Sequence, residues 1–290
     1  MWRLILILLW LAATSVTAQS LRVMTWNLHD FPSGTYNLRN PSVEPINISN
    51  VAAVIRANSP DIILLQEVRD MDSCEQLIHA IATNEYQILT CSAFKDPAGI
   101  PTFQQLAIIA KLPSVTATWE KWASFGLADP PRGLAYAVLK AGEKRVAVYC
   151  LHLKSNVAWG ADPERQQQLN ILKRELSAEQ LVRHVRTLRA RIPEITSILV
   201  GGDLNTNIDD PLFSSECTLT TLTSNGFTSC FTDVPREKRI TCPAKGAYPS
   251  ATFDYLFMNG ALLQRLPWII SSEFSDHYPV ICDLILTSDK

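Results

Sequence analysis

Six short polar signatures recur along the chain, each beside an apolar run. They are Trp26-Asn27, Gln66-Glu67, Leu151-His152-Leu153, Gly202-Asp203-Leu204-Asn205, Phe253-Asp254-Tyr255 and Ser275-Asp276-His277. Each carries a carboxylate, an amide or an imidazole where a predicted strand begins or ends. A carboxylate directly after a buried strand must be solvated, paired or metal-bound. In a layered fold, such strand ends converge on one crevice. Carboxylates gathered there suit a hard divalent cation, and imidazoles and amides beside it suit a phosphate, which outlines metal-assisted phosphoester hydrolysis.

The 290 residues, 47% hydrophobic and 19% charged, fit one large domain. A net charge of -2 provides no global field for a polyanion, so nucleic-acid affinity requires a local patch. Met1-Trp2-Arg3, the apolar run Leu4 to Ala13 and the small residues Val16-Thr17-Ala18 read as a cleaved signal peptide over 1–18, leaving 19–290 as one domain. The apolar run is shorter than the ~20 residues of a spanning helix, so the mature chain is expected to be secreted or periplasmic without a transmembrane segment. Export permits disulfides. Cys74 and Cys91 flank a helix-to-strand unit and can pair, and Cys217, Cys230 and Cys242 allow one further bridge. Cys150 and Cys282 read as buried thiols. Asn47-Ile48-Ser49 is a glycosylation sequon, meaningful in a eukaryotic secretory pathway. No obligate protein partner is evident.

Strand patterns cover Leu21 to Trp26, Ile62 to Leu65, Tyr86 to Thr90, Thr196 to Val200, Phe253 to Phe257 and Tyr278 to Leu286. Leu106 to Ala110 and Val115 to Trp119 are predicted to pair through a turn at Lys111-Leu112-Pro113. Leu134 to Leu139 and Arg145 to Leu151 form a hairpin around Ala141-Gly142-Glu143. Val51, Val54 and Ile55 mark one helix, and Leu77, Ile78 and Ile81 a second. The longest helical pattern, Glu164 to Arg191, presents Leu169, Leu172, Leu176, Val182, Val185 and Leu188, with an interruption near Ser177. Its seven Lys/Arg against three Glu read mainly as a solvated face, with tracking of a polyanion as the alternative. The element order suggests an α+β fold, two mixed sheets packed face to face with helices outside.

Gly201 and Gly202 permit a turn or a close approach. With extended backbone, Asp203 and Asn205 project to one side, as needed to orient a water and hold the phosphate oxygen; the alternative is an Asx-turn cap. His152 and His277 suit a phosphodiester, one stabilising charge and the other protonating or orienting, with Asp254 available to fix a tautomer. Arg132, after Asp129-Pro130-Pro131, is a candidate bidentate phosphate contact.

Together these motifs resemble the endonuclease/exonuclease/phosphatase superfamily. The matching segments are TWNLHDF (25–31), PDIILLQEVRD (60–70), PRGLAYAVL (131–139), LHLKS (151–155), GGDLNTN (201–207), FDYLF (253–257) and SDHYPV (275–280), in the family's order. QEVRD and SDHYPV look most like its secreted DNase I-type branch. The resemblance implies a four-layer α-β-β-α sandwich and a Mg²⁺- or Mn²⁺-dependent hydrolase, most simply a nuclease. It implies Glu67 as main metal ligand with Asn27 and Asp276 in or beside its shell. Asp203 and Asn205 would position water and phosphate, and His152 and His277 would contact the scissile phosphate, with Asp254 holding His277. Arg69 and Arg132 match positions that touch the nucleic-acid backbone. Two departures stand out: His29 occupies the position where abasic-site enzymes carry a second carboxylate, and Gln104 or Gln105 replaces a glutamate that supports the first histidine. The LHLKS stretch also differs from the DNase I pattern. A sphingomyelinase-like or small-molecule phosphoesterase is the alternative, with Trp119, Trp122 and Phe125 the only suggestive membrane-facing cluster; a non-catalytic binding protein of the same fold is the third reading.

Overall fold

Alternation along each strand sends successive side chains to opposite faces, and here both faces of most strands are apolar. Such strands must be covered twice, by a second sheet on one side and helices on the other. The computed structural model describes residues 19–287 except 37, 127, 159 and 247; the expected signal peptide lies outside the described residues. In chain order, β1 (Ser20–Phe31), α1 (Glu44–Asn58), β2 (Ile62–Val68), α2 (Met71–Ile81), β3 (Gln87–Cys91) and β4 (Gln105–Ala110) come first. There follow β5 (Ser114–Lys121), β6 (Gly133–Ala141), β7 (Lys144–His152), α3 (Pro163–Arg191), β8 (Ile195–Asp203), α4 (Thr218–Ser224) and β9 (Thr228–Ser229). β10 (Asp254–Gly260), β11 (Leu262–Gln264), β12 (Trp268–Ile269) and β13 (Val280–Leu286) complete the chain.

One sheet runs β11-β13-β1-β2-β4-β3, with β12 on β13; the other runs β5-β6-β7-β8-β10-β9. Each contains one parallel pair, β1 with β2 and β7 with β8, joined through α1 and α3 respectively. α1 and α2 bury Val51, Ile55, Leu77 and Ile81 against Met24, Trp26, Ile63 and Leu65. α3 lays Leu181, Val185 and Leu188 on the second sheet, where His184 meets Tyr136 and Tyr149. The remaining faces meet each other. A Cβ on Gly201 would lie 2.6 Å from Leu64 Cδ1, across the sheet interface, and 2.8 Å from Leu256 Cδ2. Nearby, Cys150 Sγ donates to Leu65 O at 3.3 Å and Gln66 Nε2 contacts the same sulfur at 3.2 Å. The α-β-β-α sandwich expected from the sequence is the observed fold.

Three local expectations are corrected. The Lys111-Leu112-Pro113 turn does not make a hairpin: β4 pairs with β2 and β3, whereas β5 pairs with β6 in the other sheet. Local turn chemistry marked the reversal, but burial on both faces decides which sheet each strand joins. The long helix is uninterrupted at Ser177, whose hydroxyl donates to Lys173 O at 2.8 Å. Its first half buries Asn170, Arg174 and Ser177, while Leu172 is 42% exposed. The polar side wins because Arg174 pairs twice with Glu216 (2.8 and 2.5 Å), both side chains 1% exposed, and also donates to Lys154 O. A buried pair of this kind is tolerated only when fully hydrogen-bonded. Arg174 thereby leaves the solvated face that charge counting assigned to it.

The cysteines are free thiols, so neither the Cys74–Cys91 bridge nor one among Cys217, Cys230 and Cys242 is formed, and the Cys91 Sγ donates to Ser92 O. The sequon asparagine, Asn47, lies in α1 and donates to Pro32 O at 2.7 Å.

Gly202 sits at φ 146°, and a Cβ there would fall 1.9 Å from Leu151 O, a backbone atom of the paired strand. Gly201 meets only side-chain ends. Gly202→Ala is therefore expected to destabilise by more than ~3 kcal/mol and Gly201→Ala by ~1–3 kcal/mol. Urea denaturation midpoints check the order, and the reverse order would contradict the packing described.

Candidate active site

The inward-facing row of each central strand ends in a polar group at one edge of the sandwich. Asn27 continues the row of Val23 and Thr25, His152 that of Val148 and Cys150, and Asp203 that of Leu199 and Gly201. Asp254 opens β10 directly opposite Asp203, in the row of Leu256. His277 reaches the same edge because β13 runs antiparallel to β1. Trp26 Nε1 donates to His277 O, and Ser275 Oγ donates to Asn27 O at 2.7 Å, so the loop before β13 is pinned to the end of β1.

Glu67 breaks its row. Strict alternation would send it outward with Ile63 and Leu65, but its φ is 58° and the register with β4 shifts between Gln66 and Val68. This bulge re-aims the carboxylate into the cleft. Its Oε1 accepts from Asn27 Nδ2 (3.2 Å) and its Oε2 from the Asp30 N–H (3.0 Å). A second bulge lies in β1, where His29 and Asp30 both have φ 52° and the pairing with β2 shifts between Asn27 and Phe31.

The consequence corrects the expectation of a missing second carboxylate. Asp30, one residue beyond His29, brings its carboxylate beside Glu67, and ligand atoms of His29, Asp30 and Glu67 lie within 4.8 Å of one another. Asp30 Oδ1 is buried with no hydrogen-bond partner. Burial, together with the Glu67 charge, pushes the Asp30 carboxyl up to about 6. Asp276, 30% exposed, stands at the rim with His29 Nδ1 at 3.3 Å and Lys245 Nζ at 3.7 Å.

Across the cleft, three side-chain nitrogens converge on Asp203 Oδ2: Asn27 Nδ2 at 3.0 Å, His152 Nε2 at 3.5 Å and His277 Nε2 at 3.9 Å. Burial pushes the Asp203 carboxyl up to about 7, opposed by His277 and reinforced by Asp254. Burial alone would depress His277, but the carboxylates of Asp254 (Nδ1 to Oδ2, 2.7 Å) and Asp203 outweigh it and hold the imidazole well above its ordinary value. His152 goes the other way: burial, with Arg132 and His277 nearby, holds it well below 6.5, and its Nδ1 has no partner. The two imidazoles thus carry different charge at neutral pH. Asn205, at φ 52°, donates its backbone N–H to Asp203 Oδ1 and its amide to Leu153 O. Its side chain lies at the cleft, but through this local turn rather than an extended pair with Asp203.

The two arginines are committed elsewhere. Arg69 is 3% exposed and pairs with Glu44 (2.7 Å) and Asp70 (3.2 Å). Arg132, at φ 65°, donates to His152 O, Leu153 O and Gln104 Oε1, fastening the end of β7. Gln104 is therefore the glutamine at the cleft, whereas Gln105 packs inward on Ser92 and Phe94. Sequence reasoning missed Asp30, Ser275 and Thr241; the Thr241 hydroxyl accepts the backbone N–H groups of Phe253 and Asp254. The TWNLHDF and SDH segments flagged the first two by proximity, but nothing marked Thr241.

Carboxylates facing imidazoles at one edge of a two-sheet sandwich suit phosphoester hydrolysis. The chain belongs to the endonuclease/exonuclease/phosphatase family, whose pattern matches residues 24–277. Comparison with curated proteins finds no match. Among solved structures, the endonuclease/exonuclease/phosphatase from Beutenbergia cavernae DSM 12333 is similar at 20% identity, covering 93% of this chain and 72% of that one, TM-score 0.67. The corresponding protein from Bacteroides vulgatus has 17% identity over 92% and 99% of the two chains, TM-score 0.66. ANGEL2, described as a 2',3'-cyclic phosphatase, has 14% identity over 94% and 97%, TM-score 0.66. At these identities the likenesses establish the shared fold.

Two pH predictions follow from the opposed shifts. Ring-nitrogen NMR of the metal-free protein should show His277 still cationic as pH rises past 6.5 and His152 still neutral as pH falls past it; both rings titrating near 6.5 would refute the geometry. Asp203 binds its proton more tightly folded (about 7) than at its ordinary 3.8, so the native state holds more protons between those values. Stability must then fall as pH rises across that window. Asp203→Asn should lessen this slope in urea titrations with EDTA present, most clearly between about pH 6 and 7, above the range where Asp30 contributes.

Proposed function

We propose that the protein is an exported, divalent-metal-dependent phosphodiesterase acting on nucleic acid, with residues 1–18 as signal peptide and 19–290 as the catalytic domain. The observation that carries the chemistry is the convergence of Asn27, His152 and His277 on Asp203 Oδ2, across from the paired carboxylates of Asp30 and Glu67.

The carboxylate pair fits a hard divalent ion. Asp30 Oδ1 is a buried, unpartnered oxygen beside a like charge, a combination that a cation relieves. Glu67, Asp30 and Asn27 would hold Mg²⁺ or Mn²⁺, with Asp276 at the rim. Such an ion polarises a phosphoryl oxygen and stabilises the charge that develops on it.

The chain's own groups supply the rest. Asp203, with its carboxyl raised into the neutral range, accepts the proton of an attacking water. The His277 imidazolium, kept charged by Asp254, stabilises the pentavalent charge and gives its proton to the departing oxygen as the P–O bond breaks. His152, neutral, orients the phosphate through Nε2, and Asn205 braces the Asp203 carboxylate through its N–H. Arg69 and Arg132 act by bracing the cleft walls, a change from the backbone contacts first expected of them.

Nucleic acid is favoured over phospholipid because two of the three aromatics considered for a membrane contact pack against the protein, leaving Phe125, 48% exposed, alone. Trp122 is 6% exposed, and Trp119 packs edge-on to Phe94 at 5.1 Å.

Bis-p-nitrophenyl phosphate hydrolysis should be abolished by EDTA and restored by Mg²⁺ or Mn²⁺. Glu67→Gln and Asp30→Asn should each raise the metal concentration needed for half-maximal rate. His277→Ala and His152→Ala should each slow turnover at least ~10²-fold, as for a lost acid-base group. Absent turnover across plasmid DNA, single-stranded RNA, sphingomyelin and inositol phosphates would leave a binding protein as the answer, and turnover that EDTA does not touch would overturn the metal requirement. Turnover of sphingomyelin alone would move the assignment to phospholipid. N-terminal sequencing of the exported protein should begin near Gln19.

A further inference from the structure

Past His152, where the Leu153 carbonyl accepts from both Arg132 and Asn205, the chain turns cationic. Lys154 is half-buried two residues past His152, and Arg132, Lys173 and Arg174 are its charged neighbours. Glu216 neutralises Arg174, and Arg132 lies in the field of Glu67 and Asp203. Arg132 spends its N–H groups on neutral acceptors, the carbonyls of His152 and Leu153 and the Gln104 amide. The Lys154 ammonium has a single protein acceptor, Ser155 O at 3.2 Å. Among the described residues, neither Lys154 nor Lys173 has a carboxylate in ion-pair range.

The arrangement is held in place. Arg174 donates to Lys154 O, Asn170 donates to Val157 O, and Asn156 donates to Asn205 O at 2.5 Å, so the 153–157 loop is fastened to both α3 and the loop after β8. Lys173 flanks the same buried face of α3, with its carbonyl bonded to Ser177. Crowding like charges at a partly desolvated position is unfavourable unless an anion neutralises them. Burial and the neighbouring cations push the Lys154 ammonium down to about 8, which measures that crowding.

We propose that Lys154 and Lys173 form a subsite for a second phosphate of the same substrate, the one adjoining the phosphate cleaved between His152 and His277. The subsite rests on the phosphodiesterase reading and sharpens it: the preferred substrate is a polynucleotide strand rather than an isolated phosphodiester. Lys154 and Lys173 are binding and positioning residues, so their loss should appear in KM and in salt dependence, with kcat kept.

The test compares wild type with Lys154→Gln, Lys173→Gln and Lys154→Arg on two probes: the dinucleoside monophosphate TpT, with one phosphate, and single-stranded dT10. Binding of labelled dT10 is measured in parallel without metal by fluorescence anisotropy. Each Gln variant should raise KM and Kd for dT10 by about tenfold, lower the log–log salt slope by about one, and leave TpT kinetics unchanged. Lys154→Arg should restore most of the loss. Equal losses on TpT and dT10 would place Lys154 on the scissile phosphate and overturn the subsite, as would unchanged dT10 binding in both Gln variants. If wild type binds dT10 with this lysine dependence but does not cleave it, the nuclease reading fails and the subsite stands. If wild type does not bind dT10, the subsite falls.

Discussion

One amide joins the two sheets at the place where the chemistry is concentrated. Asn27 Nδ2, from the first sheet, donates both to Glu67 of its own sheet and to Asp203 of the facing one. A carboxylate such as Asp203, 2% exposed, exists in this setting only because donors meet it from both layers. The charge states of the surrounding groups depend on that arrangement. With Asp203 and Asp254 in place, His277 keeps its proton. His152 sees Arg132 and His277 among its charged neighbours and loses its own. The edge thus divides into an acidic half around Asp30, Glu67 and Asp276 and a basic half running from His277 through Lys154.

Local backbone departures aim these groups. His29, Asp30, Glu67, Arg132 and Asn205 all adopt φ between 52° and 65°, a region that costs a non-glycine residue about 1–3 kcal/mol. Their clustering at one edge is supported by hydrogen bonds that over-determine each residue: Glu67 is held at both oxygens, Arg132 by three acceptors, and Asn205 through its N–H, its amide and its carbonyl. The hydrophobic interior, anchored where Gly201 lets Leu64 and Leu256 close in, provides the rigidity against which this strain is kept.

Much of this was legible in the residues. Apolar runs ending in Asn27, Glu67, His152, Asp203 and Asp254 marked the strand mouths, because a polar group at the end of a buried run has few structural alternatives. That Asp254 partners His277 rather than His152 was implied by the family resemblance, the residues alone leaving either imidazole open, and the 2.7 Å contact is with His277. What escaped were features created by one-residue irregularities. Asp30 enters the cleft only because a bulge follows Leu28, and periodicity has no means of registering an inserted residue. The polar face of α3 was hidden because Leu169, Leu172 and Leu176 satisfy helical spacing, whereas burial of Arg174 depends on Glu216, 42 residues away. Likewise, β4 and β5 look like a hairpin along the sequence but belong to different layers, a distinction set by long-range packing. Arg69 and Arg132 were expected to touch a nucleic-acid backbone, yet only coordinates reveal that Glu44 and Asp70 pair with the first and main-chain carbonyls with the second.

The bulged strand ends have a mechanical consequence. Each reacting group is rooted in a strand or tied to one by a hydrogen bond, and a one-residue slip would turn a whole row of side chains to the opposite face. A shift of one sheet against the other would therefore move the facing groups of the cleft as two sets, one from each layer.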